Sequence, residues 1–258
     1  PWRNACSAVR PATGSVDAAI ATGFLGVVAA YAKGMPVRVM STHAAGVPDV
    51  FWYVKTNSPI RSLQDFAGKT VAFSRPGGTS QVVLLTATAR LNPQAKLVST
   101  GGLPATRTQL MTEQVDVGWS VPPFNLDLVR NSEARIVFRG AEIPELQDQT
   151  IRVNIAQAKM FKEKRDVLVR LMRAYARTID WMYDKPQESA AAYAKFAEIE
   201  IADAIETMKF YPRQMFALAP VRGIEPIMRQ AVEGKFIEKP LTADQLAELI
   251  DIVYDPKK

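Results

Sequence analysis

The hydrophobic pattern of this 258-residue chain changes character near Gln157. Before that point, short apolar runs alternate with segments of helical spacing. The runs predict strands at Val16–Ala21, Pro36–Ser41, Val50–Lys55, Thr70–Phe73, Lys96–Ser99, Val115–Val117, Arg135–Phe138 and Ile151–Ala156. Helical spacing predicts helices at Phe24–Lys33 (stopped by Gly34), about 81–91, Pro104–Glu113 and Leu126–Asn131, and a single turn capped by Ser62. Such alternation predicts an α/β fold with a mainly parallel sheet. Beyond Gln157 only helical periods remain. Lys162–Tyr183 carries Val167, Leu168, Leu171, Met172, Tyr175, Ile179 and Met182 at helical spacing. Further helices are expected at Pro186–Phe196, Ile201–Phe210, Ile224–Val232 and Ala243–Val253, the last opened by a capping box at Thr242 and Gln245. This run either covers the sheet or forms a helical domain of its own.

The pattern is centred on Gln114–Phe124. Its strand runs into Gly118, Trp119 and Ser120, and Pro122 and Pro123 then forbid further ladder pairing. Trp119 and Ser120 are thereby expected at a strand end, where open α/β sheets hold ligands. Ser15–Phe24 echoes it with a Val-Asp start, small residues, a hydroxyl and a Phe. The echo is short enough to arise by chance. Read as a repeat, it predicts two lobes that each offer a strand end.

Other strand ends carry candidate ligand contacts. Gly77, Gly78, Thr79 and Ser80 join a strand to a helix, so two glycines permit close backbone approach and the first amides of the helix face an anion. The loop matches neither phosphate-binding fingerprint, and an ordinary capped turn is the rival reading. Thr22 and Gly23 follow a strand, as do Thr42, His43, Ala44, Ala45 and Gly46. His43 either lines a pocket or is a satisfied loop residue, and Trp119 is either an apolar wall or core.

Composition narrows the chemistry. The chain is 48% hydrophobic and 22% charged, with net charge +6. Its basic residues are dispersed, with no dense cluster interleaved with aromatics, which argues against nucleic-acid binding. No apolar run reaches the ~20 residues of a membrane span. One cysteine (Cys6) and one histidine (His43) exclude an internal disulfide, a multi-cysteine or multi-histidine metal site, and a histidine-paired nucleophile elsewhere. Asp17 and Asp116 lie at strand starts and suit turns or caps. No catalytic residues, cofactor or metal are called for.

Ser15-Val-Asp-Ala-Ala-Ile-Ala, Gly34-Met-Pro-Val-Arg-Val, Ser58-Pro-Ile-Arg-Ser-Leu-Gln-Asp-Phe-Ala-Gly-Lys, Gly78-Thr-Ser and Gln114-Val-Asp-Val-Gly-Trp occur in a familiar order. With them the chain resembles the solute-binding proteins of ABC importers for nitrate, taurine and aliphatic sulfonates, over roughly residues 15–255. The resemblance implies a two-lobed periplasmic-binding-protein fold of the type with two crossovers (type II). It implies lobes of residues 1–60 plus 153–258 and of residues 61–152. Ligand contacts are implied at Thr22, Gly23, His43, Ala44, Gly46, Gly78, Thr79, Ser80, Trp119 and Ser120. It further implies a small anionic organic ligand, a membrane permease as partner and a periplasmic location reached by a signal peptide not in this sequence. The family's opening strand and helix are not found in the fourteen irregular residues before Ser15. An uncovered sheet edge is therefore expected, inviting a homo-oligomer. An enzyme or ligand sensor on the same fold, such as a thiamine-pyrimidine synthase, or a truncated relative, is the alternative.

Overall fold

The computed structural model describes residues 16–91 and 94–256. The expected N-terminal arm and Cys6 lie outside these. In chain order the elements are β1 (Ala18–Gly23), α1 (Phe24–Ala32), β2 (Val37–Ala45), β3 (Phe51–Lys55), β4 (Thr70–Phe73), α2 (Thr79–Leu91), β5 (Lys96–Ser99), α3 (Leu103–Met111), β6 (Gly118–Ser120), α4 (Leu126–Arg130), β7 (Ala134–Arg139), α5 (Pro144–Gln147) and β8 (Thr150–Gln157). Helices follow: α6 (Ala158–Glu163), α7 (Arg165–Asp184), α8 (Pro186–Ala197), α9 (Ile201–Met208), α10 (Ile224–Glu233) and α11 (Ala243–Leu249).

By contacts the chain divides into two compact units. Unit 1 holds residues up to Gly46, Asp148–Asp184 and Arg213 onward; unit 2 holds Val47–Gln147 and Lys185–Pro212. The boundaries differ from those expected. β3 was placed with the first lobe, but it pairs with β6 and β7 and so lies in unit 2. Residues 185–212 also join unit 2, because Phe210 enters its core with Phe51, Tyr53, Leu110 and Leu128. Arg139 stacks its guanidinium 4.1 Å from the Phe210 ring, and Arg130 pairs with Asp203. The helical run is therefore not one domain of its own.

In unit 2, β4 and β5 pair in parallel, and Val71 of β4 bridges Val117 just before β6. β3 then runs antiparallel between β6 and β7. The spatial order is β5-β4-β6-β3-β7. In unit 1, β8 runs antiparallel between β1 and β2, and Val39 on the far side of β2 bridges Ile250 in parallel. Both sheets are thus mixed, a correction to the mainly parallel sheet expected. A strand buried on both faces gives the same apolar run whichever way it points.

β1 and β6, the two halves of the echo, occupy corresponding places, each beside the antiparallel strand of its sheet. The focal strand itself lies a few residues later than predicted. Trp119 and Ser120 fall inside β6 rather than after it, since Trp119 pairs with Trp52 and Ser120 with Phe51. Likewise Thr42–Ala45, expected as a loop, continues β2, because Thr42 and Ala44 find partners in Val153 and Arg152.

α6 and α7 cover one face of unit 1. Met160, Phe161, Leu168 and Met172 pack with Met40 and Ala156. Burying such side chains contributes roughly 1.5–3 kcal/mol each. α7 begins after a break at Lys164, where the sequence predicted one continuous helix. Among the described residues no helix is long and apolar enough to cross a membrane.

Candidate functional site

In unit 2 the candidate residues lie at the ends of β4, β5 and β6. β4 ends at Phe73, and Ser74–Gly78 turns the chain into α2. Gly77 has φ +73°, which favours glycine. A Cβ on Gly78 would stand 2.6 Å from Ser74 Oγ and 3.0 Å from the Arg75 carbonyl oxygen, so the turn is closed around a bare backbone. The Gly78 amide donates to the Arg75 carbonyl and the Gly77 amide to Gln81 Oε1. Thr79 and Ser80 are the first residues of α2, and their amides precede its own hydrogen-bond ladder.

Ser80 was expected to cap the helix or to offer its amide, and its side chain is engaged within the turn. Its hydroxyl is buried, accepts from the Ser74 amide at 2.9 Å and bonds Ser74 Oγ at 2.8 Å. It fixes the turn rather than presenting itself to a ligand. Ser120 is likewise occupied: its hydroxyl donates to the Phe124 carbonyl and accepts from Asn125 Nδ2. It supports the left-handed Asn125 that starts α4. Trp119 is half-buried, packs on the apolar core and donates from Nε1 to Thr100 Oγ1 at 3.3 Å. It packs partly buried against the unit 2 core.

A third strand end was missed by sequence reasoning. Thr100, Gly101 and Gly102 follow β5, with Gly101 at φ +78°. Gly101 N and Ser99 Oγ both donate to the Ser74 carbonyl. They tie this end to the β4 turn. The pairing of two glycines with two hydroxyl residues, in the reverse order to Gly77–Ser80, was there to be read.

In unit 1, Thr22 and Gly23 close β1, and Gly23 is the N-cap of α1, which has no side-chain cap. Thr22 is 2% exposed and its hydroxyl has no partner. β1 bulges before it, with Ala21 at φ +59°, a conformation disfavoured for a residue with a Cβ. Asn154 of β8 compensates. Its Oδ1 accepts the Ala21 amide at 3.0 Å, while its Nδ2 donates to Ser41 Oγ at 2.8 Å and the Thr42 carbonyl at 3.3 Å. One buried carboxamide therefore clasps both flanking strands.

His43 lies beside this clasp. Its Nδ1 is 2.7 Å from the Tyr175 hydroxyl, and its ring meets Phe216 edge-on at 5.6 Å. Burial first, then the positive charge of Arg152, pushes its pKa down to about 3. Burial also raises that of Tyr175, which keeps its proton. The imidazole is neutral throughout the physiological range. Ala44 is fully buried, and Gly46, at φ +72°, donates to the Gln149 carbonyl. The segment after Arg213 lies against these strands: Thr42 donates from its amide and its hydroxyl to the Leu218 and Ala217 carbonyls, and Thr150 exchanges hydrogen bonds with Arg222. Among the described residues no group of three metal-ligating side chains is found.

Known structures share this wiring. The chain matches the periplasmic aliphatic sulphonate binding protein SsuA of Escherichia coli with a TM-score of 0.76 at 18% identity, covering 94% of this chain and 78% of that one. It matches the alkanesulfonate-binding protein SsuA of Xanthomonas axonopodis pv. citri, bound to MOPS, with a TM-score of 0.78 at 16% identity, covering 95% and 83%. A Candida albicans gene product described as having the generic periplasmic binding protein fold matches at 0.69 and 14% identity, covering 94% and 81%. The fold is therefore that of the periplasmic binding proteins. The sequence profile described as NMT1/THI5 like matches residues 7–189, and the chain belongs to that family. No curated protein sequence matches the chain.

Proposed function

We propose that this protein is an exported, non-enzymatic solute-binding protein that captures a small anionic organic molecule in the periplasm and delivers it to an ABC permease. The observation that carries this reading is the β4–α2 turn. Its bare Gly77–Gly78 backbone and the leading amides of Thr79 and Ser80 form an anion-ready helix start. The half-buried Trp119 and the glycine-rich end of β5 supply apolar and backbone contacts beside it. Thr22, Gly23 and the β2 end from His43 to Gly46 are the corresponding set in unit 1. That two structural neighbours are sulfonate binders favours sulfonates as the first class to try.

The family also contains a synthase, so turnover has to be considered. The one histidine argues against it here. Held neutral against Tyr175 and Phe216, His43 is a poor general base or acid near pH 7. Thermal-shift screening against sulfonates, carboxylates and pyrimidines tests the proposal. Stabilisation growing with ligand concentration is expected, about 2.7 kcal/mol at a hundredfold excess over Kd, with the solute recovered unchanged. A folded protein that none of the three classes stabilises, or a converted solute, refutes it.

A further inference from the structure

α7 carries more apolar surface than the unit 1 core covers. Leu168, Met172, Tyr175 and Ile179 form one stripe along it and pack inward. Beside it runs a second stripe at the same spacing of three and four residues: Val167, Leu171, Ala174, Thr178 and Trp181. This one faces outward, with Val167 38%, Leu171 40% and Trp181 36% exposed. Thr178 donates its hydroxyl to the Ala174 carbonyl at 2.9 Å, so that group is already satisfied. The Trp181 indole, apolar with one N–H, suits a boundary between water and an apolar medium. The flank of the stripe is basic. Residues 158–178 hold seven Lys and Arg, all exposed, against Glu163 and Asp166, a net +5 in a chain of net +6. Counting Glu248 near Lys162 and Asp251 on Arg165 still leaves +3. Arg170 and Arg177 lie nearest the stripe, and Arg170 meets the exposed Asp166 at 3.1 Å. An exposed pair of this kind contributes little and exchanges readily for another anion.

A broad apolar arc edged by cations fits a surface that is apolar and anionic at once. A second copy of the same face would bring like charges together, and a soluble polyanion would leave the apolar stripe wet. We propose that α6 and α7 dock unit 1 on an anionic phospholipid surface, with the Lys and Arg side chains on the headgroup phosphates and Val167, Leu171 and Trp181 at the acyl boundary. The contact is peripheral and reversible. It goes beyond solute capture and does not depend on it: a carrier held at the membrane searches for its partner along a surface rather than through a volume.

The test is sedimentation with vesicles of phosphatidylcholine alone, or mixed in equal parts with phosphatidylglycerol, in the absence of solute. Wild type should bind the mixed vesicles, less so as salt rises from about 0.1 to about 0.5 M, and leave phosphatidylcholine largely unbound. R170Q/R177Q should bind about thirtyfold more weakly and L171Q severalfold more weakly. These positions are exposed, so Tm should hold in both. Tryptophan emission should move to the blue on mixed vesicles, and W181F should lose that shift, which separates this face from Trp52 and Trp119. Equal binding to both vesicles, binding to neither, or a folded R170Q/R177Q that binds like wild type overturns the proposal. Dimers that form without vesicles and are lost in L171Q overturn it in favour of a second copy. Should R170Q/R177Q or L171Q not fold, the wild-type salt dependence and the W181F comparison decide: salt-sensitive binding with the shift lost in W181F supports the proposal, and a shift kept in W181F overturns it.

Discussion

Both sheets set one antiparallel strand between two others, and they hold it in different ways. In unit 2 the antiparallel strand is Phe51-Trp52-Tyr53; its pairing with β6 runs without a slip, and its pairing with β7 slips once, between Trp52 and Tyr53. Trp52 is fully buried, packs on Phe138 at 5.2 Å and donates from Nε1 to the Ala72 carbonyl across the sheet. Tyr53 lies so close to Gly118 that a Cβ there would sit 2.8 Å from its ring. In unit 1 the corresponding strand offers Asn154, and its pairing slips on both sides, between Ala19 and Thr22 and at three points along β2. Aromatic packing holds the sheet with a single slip, and a carboxamide accommodates the more numerous bulges of unit 1 by bonding the groups they leave over. Bulges re-aim side chains, so the irregular sheet is the one whose strand ends are more finely placed.

That contrast can be broken from either side. The largest effect is expected for Trp52→Ala, which should cost about 3–5 kcal/mol by denaturant unfolding, since it opens a cavity and leaves the Ala72 carbonyl without its donor. A loss under 1 kcal/mol would mean that aromatic packing does not hold unit 2.

Next is the pH dependence carried by His43. Its folded pKa of about 3 lies below the ordinary 6.5, so the unfolded chain binds the extra proton between those values. Stability is full above pH 6.5 and falls as pH drops toward 3, by at most about 1.4 kcal/mol per pH unit from this group. His43→Gln should flatten the wild-type slope between pH 4 and 6 by up to one proton. An unchanged slope would show that the imidazole is not held neutral.

Asn154→Ala should cost roughly 2 kcal/mol, because the Ala21 amide and the β2 groups lose their partner. Hydrogen exchange at Ala21 should quicken while exchange in β3 stays as it was. Smallest is Ala21→Gly, expected to stabilise by about 0.5–1 kcal/mol, because glycine adopts φ +59° without penalty. Destabilisation by this change would indicate that the Ala21 methyl group packs usefully and that the bulge is not strained.

Much of the fold was legible. β4 and β5 have the predicted bounds, and the short turn after Ser62 forms where the sequence suggested, closed by the Asp65 carboxylate accepting from the Arg61 and Ser62 amides rather than by a Ser62 cap alone. Strand direction was not legible, for an inward-facing apolar run carries no arrow. For the candidate site the sequence offers positions rather than roles. Gly77–Gly78 was found because glycine announces a bare backbone, whereas the engagements of Ser80 and Ser120 depend on turn geometry that composition does not encode. His43 meets Tyr175 and Phe216, both more than a hundred residues away in sequence, and no local pattern predicts that contact.

The outer side of β2 is finished by the last stretch of the chain. Asp251 and Val253 donate to the Val39 and Met40 carbonyls, Arg165 grips the Asp251 carboxylate with two hydrogen bonds of 2.7 Å, and Glu248 binds Tyr31 and Arg38. This sets an order of events as the chain forms. The unit 2 sheet is complete once residue 139 has appeared, whereas the unit 1 sheet must join residue 18 to residue 156 and residue 39 to residue 250. Distant closures are slow because their loop entropy is lost before their contacts form. Unit 2 should therefore assemble first in a growing or refolding chain, with unit 1 waiting for its final dozen residues.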